Sequence, residues 1–271
     1  MQGAANSWKS WQAALLPDGI SISKASMSTT KNTLATLVKK AFRGMGVEVQ
    51  RWAGANTEEA VIRNLLRLVE PAAILDVGAN TGQFARNLRG LGYAGTIISF
   101  EALPLVHAEL MRNASKDDRW LVAPCAALGS SHGTAEMNVA GNSASSSLLP
   151  MLDAHLHAAP ESAYTGKQTV VTARLDELSA EMLPTLGDLY LKIDTQGYEL
   201  EVLKGAGSLL DRVRVIQVEL SLTRMYDHSP TLATMVPYVE GLGFELFNLT
   251  PTFKDRRSGR LLQADGFFVR A

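Results

Sequence analysis

The chain has 271 residues, 46% hydrophobic and 20% charged, a globular composition that excludes a disordered or fibrous protein. Its 26 lysines and arginines nearly balance 27 aspartates and glutamates, so no global field recruits a polyanion and nucleic acid is not an expected partner. The single cysteine, Cys125, excludes an intrachain disulfide and a four-thiolate metal site; it reads as a small core residue and suits a reducing, cytoplasmic setting.

Residues 1–30 are rich in Ser, Ala and Gly and read as a poorly ordered leader, within which Met27 offers a second start. They show no convincing signal-peptide core, and no apolar run in the chain reaches the ~20 residues that span a bilayer. KNTLATLVKKAFR (31–43) spaces Leu34, Leu37, Val38, Ala41 and Phe42 as one helical face, with Lys39, Lys40 and Arg43 elsewhere. This helix is expected to pack on the body of the domain. Its second reading is a basic amphipathic helix in peripheral contact with a membrane. The remainder, residues 57–271, forms the main domain after a linker to residue 56.

In TEEAVIRNLLRLVEP, Thr57 is placed to cap a helix, with Glu58 and Glu59 in its first turn and Pro71 just past its end. Then strands and helices alternate. AAILDV (72–77), TIISFEA (96–102) and RWLVAPCAAL (119–128) read as strands, QFARNLRGLG (83–92) and PLVHAELMRNA (104–114) as helices. Residues 129–188 are the least regular. Candidate strands TAEMNV and QTVVTARL flank GNSASSS (141–147), which reads more as a flexible linker than as a wall of a site. After LKID come a helix (198–212), the strand RVIQVEL, a helix (231–242), the strand FELFNL and a last short strand, GFFVR. Such alternation argues for an α/β, Rossmann-like, doubly wound parallel sheet.

In such a sheet, ligands sit at the carboxyl ends of strands, and ILDVGANTGQF (74–84) is a strand running through a glycine turn into a helix. Gly78 and Gly82 permit close backbone approach, and Asn80 and Thr81 can turn the chain and cap the helix. The spacing is not G-x-G-x-x-G and no P-loop occurs, so a nicotinamide dinucleotide is a distant second choice. Asp76 would repel phosphate and attract a cation. Glu101 ends the next strand where an acid meets ribose hydroxyls. A ribose-bearing, phosphate-free, cationic ligand is S-adenosylmethionine.

The stretches ILDVGANTGQFA, SFEALP, KIDTQGYELEVLKGA and GRLLQADGFFVR, in that order over about residues 57–271, resemble the FkbM family of S-adenosylmethionine-dependent methyltransferases. The resemblance implies a class I methyltransferase sheet of seven strands with the last antiparallel. It also implies O-methylation of a sugar, glycolipid or polyketide-type natural product. By this similarity Asp76, Gly78, Asn80, Gly82 and Glu101 contact the cofactor, and Ala79, Thr81 and Phe84 of the same loop are expected to contact it as well. Phe100, Ala102 and Leu103 line its ribose side and Ala126 its adenine side. Many members read K-I-D-x-E-G where this chain has KIDTQG, so no role that needs a charge at Gln196, metal binding included, is expected.

Transfer of a methyl group to a hydroxyl calls for a base that faces the cofactor from a strand end. Asp194 is the first candidate, as base, cofactor contact and helix N-cap at once. His228, in RMYDHSP, has the pKa best suited to neutral proton transfer, and Glu219 ends a strand on the same rim. Asp265 sits in a turn-like Asp-Gly pair, with Lys254, Arg256 and Arg257 in reach of a sugar-rich or anionic acceptor. No metal is expected. The competing readings are a catalytically inactive methyltransferase-like binding module and an enzyme using another nucleoside cofactor.

Overall fold

The computed structural model describes residues 57–270. The expected leader and the expected amphipathic helix at 31–43 lie outside the described residues. Helix α1 (Glu58–Val69) opens as its sequence demands: the Thr57 hydroxyl accepts from the Ala60 amide at 3.3 Å, and Glu58 and Glu59 face the positive end of the helix dipole. Its buried face is Val61, Ile62 and Leu65.

The chain continues through β1 (Ala73–Val77), α2 (Gln83–Gly90), β2 (Thr96–Phe100), α3 (Pro104–Ala114) and β3 (Trp120–Val122). It then forms β4 (Ala127–Leu128), β5 (Gly133–Ala140), α4 (Asp153–Ala158), β6 (Tyr164–Ala173) and α5 (Leu175–Leu178). The last third is β7 (Leu189–Ile193), α6 (Glu199–Gly205), β8 (Val213–Ser221), α7 (Leu232–Gly241), β9 (Glu245–Lys254) and β10 (Leu261–Val269).

Seven strands form one sheet in the order β3-β2-β1-β7-β8-β10-β9, parallel from β3 to β8, with β10 antiparallel to both neighbours. This is the doubly wound, mostly parallel sheet with an antiparallel last strand that the sequence leads one to expect. Every residue of β1 and β7 is buried, because helices cover both faces. Leu75, Leu191, Ile216 and Val218 pack toward Val202, Leu203, Met235 and Val239 on one face. Ile74, Tyr190, Val215 and Phe267 pack toward Ile62, Leu65, Ala85 and Leu88 on the other. Successive connections turn to opposite sides at β1 and β7, which opens a crevice at their carboxyl ends.

Three expectations are corrected. RWLVAPCAAL is not one strand: Pro124 offers no amide to a ladder, so the chain leaves the main sheet after Val122 and Ala127–Leu128 join a second sheet. That sheet, ordered β4-β6-β5, occupies the segment that reads as least regular, and TAEMNV and QTVVTARL lie largely in its antiparallel pair. The helix expected at 198–212 breaks at Gly207, whose φ is +47°, and ends as a 3-10 turn. Asp265–Gly266 lies inside β10 rather than in a turn. A Cβ at 266 would stand 2.4 Å from a Leu220 methyl, so a side chain there would displace Leu220.

Candidate active site

The glycine turn after β1 is built by close approach of two strand ends. The Asp194 amide donates to the Val77 carbonyl at 3.0 Å, and a Cβ on Gly78 would lie 1.8 Å from the Asp194 carbonyl oxygen. Only glycine fits there, with φ +76°. The Gly78 and Ala79 amides donate to the Phe100 carbonyl at 3.1 and 2.9 Å, which binds the turn to the end of β2.

Glu101 follows directly. Its Oε1 accepts from the Ala102 and Leu103 amides, each at 2.9 Å, and its Oε2 from the Asn80 amide at 3.0 Å. Burial pushes this carboxyl up while the three amides pull it down, with burial prevailing. The amides hold the carboxylate still and leave acceptor capacity facing a cavity of about 510 Å³ that it lines. Gly78, Ala79, Asn80, Phe100, Ala102, Leu103 and Ala126 line the same part of the cavity, as the resemblance implies for a cofactor site. A carboxylate ready for paired hydroxyls, a floor that excludes a Cβ and apolar walls fit an adenosine moiety, and the acids further along fit a cation.

The far part of the cavity is lined by Phe84, Lys192, Asp194, Gln196, Glu219 and Asp265. Gln196 Nε2 donates to Asp194 Oδ1 at 2.8 Å and to Glu219 Oε2 at 3.2 Å, and Gln263 Nε2 donates to the same Glu219 oxygen at 2.7 Å. Lys192 Nζ lies 3.4 Å from Asp194 Oδ2 and 3.5 Å from Asp76 Oδ1. Burial alone would neutralise that ammonium, but Asp194, Asp76 and Asp265 together hold it charged. Gln217 Nε2 bridges Asp265 Oδ2 (2.6 Å) and Glu58 Oε1 (3.1 Å). Burial first, then Glu58 and Asp194, push Asp265 up to about 7. Burial, then Asp194, Glu199 and Asp265, push Glu219 well above the usual carboxylate range.

Not every expected residue reaches the cavity. Asp76 is fully buried beneath it, with Lys192 and Ser99 as neighbours. Gly82 faces Trp120, whose ring a Cβ would meet at 2.3 Å, and Thr81 turns its carbonyl to Arg86 and Asn113. His228 is set aside as a base: its side chain is 88% exposed, on a left-handed turn (φ +57°), beside Asp227. Asp194 caps no helix. α6 begins after Tyr198, and Glu199 instead accepts from the Thr195 and Gly197 amides at 3.0 and 2.9 Å. Lys254, Arg256 and Arg257 are exposed beyond the lining residue Thr252.

GNSASSS is a wall and not a linker. Ser145, Ser146 and Ser147 are buried, Ser143 Oγ accepts from Asn80 Nδ2 at 3.0 Å, and Ser147 Oγ donates to the Gln196 carbonyl at 2.7 Å. Sequence pattern also overlooks Lys192, Gln263 and Tyr226. Lys192 carries a usable signal, being the one charge inside the apolar strand LYLKI; the other two carry none.

Fold and site together define a class I methyltransferase, an enzyme whose cofactor is S-adenosylmethionine. The profile of the methyltransferase FkbM domain matches residues 76–246, and the chain belongs to the FkbM methyltransferase family. No curated protein sequence matches it. Among solved structures it is similar to the precorrin-6y C5,15-methyltransferase of Geobacter metallireducens, at 14% identity and TM-score 0.38 over 78% of this chain and 86% of that one. It is also similar to an rRNA methylase of Streptococcus thermophilus, at 12% identity and TM-score 0.42 over 80% and 99%. A third is Aeropyrum pernix fibrillarin in complex with natively bound S-adenosyl-L-methionine, at 13% identity and TM-score 0.41 over 78% and 73%. Substrates and partners do not transfer at such identities.

Proposed function

We propose that the protein is an O-methyltransferase acting on a hydroxyl of a small molecule, a sugar, glycolipid or polyketide-type natural product. The observation that carries this reading is Asp194. It ends β7 against the glycine turn, and its side chain, 38% exposed, faces the cavity that Glu101 also lines. A carboxylate there accepts a hydrogen bond from an acceptor hydroxyl and takes its proton. Gln196, Glu219 and Thr252 add polar groups that suit a hydroxyl-rich acceptor. S-adenosylmethionine, when bound, supplies an electrophilic methyl group. Phe84 and Leu148 add apolar surface that limits water. The net charge of −1 and the acid-lined far end favour a small molecule over nucleic acid. Among the described residues no helix is long and apolar enough to cross a membrane. We place the reaction in the cytoplasm, with residues 31–43 as the candidate membrane contact.

Isothermal titration with S-adenosylhomocysteine tests the cofactor half. The intact protein binds and Glu101→Ala weakens binding at least tenfold, about 1.4 kcal/mol; no binding by the intact protein overturns the reading. Asp194→Ala abolishes methyl transfer to a hydroxylated acceptor yet keeps S-adenosylhomocysteine affinity within about tenfold. Retained turnover would remove Asp194 from its role.

A further inference from the structure

Position 196 stands between two carboxylates, and its own conformation is held from both sides. Its φ is +56°, a region that costs a non-glycine residue energy, and its carbonyl is bound by Ser147 Oγ. The side-chain amide spends both N–H bonds on acids, at 2.8 Å to Asp194 and 3.2 Å to Glu219. Its Oε1 accepts from the Tyr226 hydroxyl at 2.7 Å. Tyr226 is fully buried, packed edge-on to the His155 ring with centroids 5.3 Å apart, so its hydroxyl has little freedom to leave.

An amide can turn over and exchange its oxygen and nitrogen ends. Turned over, Gln196 would aim Oε1 at two carboxylates, and that arrangement is tolerable only if one acid is protonated. Amide orientation and the charge of the acid pair are therefore linked. The surroundings make the link matter. One cation, Lys192 on β7, faces the pair, whereas Asp76 on β1, Glu199 on α6, Asp265 on β10 and Glu58 on α1 bring further acids to the same region. Tyr226 and Tyr164 are the remaining titratable groups beside it. A neutral double donor relieves repulsion between two acids without adding charge; an acid at 196 would add a third.

We propose that Gln196, oriented by the Tyr226 hydroxyl, is the positioning residue of the acceptor site, tying Asp194 and Glu219 into one unit and fixing the Asp194 carboxyl toward the acceptor. This rests on the reading of Asp194 given above. The role is positioning because Gln196 acts through the two acids to which it donates, and Tyr226, which does not line the cavity, acts through the amide.

The test needs no knowledge of the acceptor. Sinefungin carries an amine where the cofactor carries its transferable methyl, so its affinity relative to S-adenosylhomocysteine reports the charge of the neighbouring acids. Both ligands are titrated into the full-length protein and into Tyr226→Phe and Gln196→Met between about pH 5.5 and 8.5, with thermal unfolding as a check on folding. Gln196→Met removes the donor to both acids and Tyr226→Phe removes the hydroxyl that orients it, so the pH midpoint of the affinity ratio moves upward, by about half a unit or more. At pH 6.5 the preference for sinefungin falls about threefold. A residue that only fills space would lower stability and leave that midpoint in place. An unmoved midpoint in both variants, with S-adenosylhomocysteine still bound, overturns the proposal. If Tyr226→Phe does not fold, Gln196→Met on the cavity wall decides alone. Failure of the unaltered protein to bind either ligand overturns the cofactor-site reading instead.

Discussion

Lys192 stands 3.5 Å from Asp76 and 3.4 Å from Asp194, with its ammonium 5.2 Å from the centre of the Phe84 ring. Removing one member of a buried ionic group leaves the others uncompensated, which costs more than the group contributes intact. Lys192→Met is therefore expected to destabilise the fold by about 3–5 kcal/mol in urea unfolding. The double variant Lys192→Met with Asp76→Asn recovers part of that loss, because the buried acid is neutralised too. Full additivity of the two single changes would show that the pair is not coupled. At this scale Gly78 and Glu101 were legible, since a strand end followed by glycine and a second strand end closed by an acid are local patterns. His228 was misleading for a local reason as well. Proximity to a strand end says nothing of where a side chain points, and the left-handed backbone at 228 turns the ring to solvent.

Among the elements, the Ser143–Ser147 segment joins what sequence keeps far apart. Through Asn80 it touches the cofactor turn, and through the Gln196 carbonyl it touches the acceptor turn, 63 and 49 residues away in the chain. Ser147 Oγ also accepts from the Leu149 amide at 3.0 Å. Ser147→Ala leaves the half-buried Gln196 carbonyl without its donor and should cost about 1 kcal/mol by chemical denaturation. If the segment were a linker, that substitution would fall within about 0.5 kcal/mol of the unaltered protein. The same residues read as a linker because Gly, Ser and Asn have low propensity for either regular structure, and hydroxyl pairing across strands leaves no periodic trace. Pro124 tells the opposite story: a single residue visible in sequence explains why one apolar run serves two sheets.

For the molecule as a whole, the acids at the carboxyl end of the sheet make stability depend on pH. Burial, the largest cause, pushes Glu199 up to about 7 and Asp265 also to about 7, from ordinary values of 4.5 and 3.8. Between those limits the folded chain binds more protons than the unfolded one, so their contribution is complete below about pH 4 and is lost as pH rises through about 7. Glu199→Gln, which keeps an acceptor for the Thr195 and Gly197 amides, should flatten the decline of unfolding free energy between pH 5 and 8. An unchanged slope would mean that Glu199 is ionised throughout. Such coupling cannot be read along the chain. The parallel sheet, its helices and the cofactor turn follow from hydrophobic periodicity, glycine placement and strand-end acids, all of which act over a few neighbouring residues. Which acids share a donor, which lysine holds them charged and which serine closes the wall depend on strand order and register. These bring β1, β7, β8 and β10 side by side from positions as far apart in the chain as Asp76 and Asp265, and only burial at that junction gives their charges force.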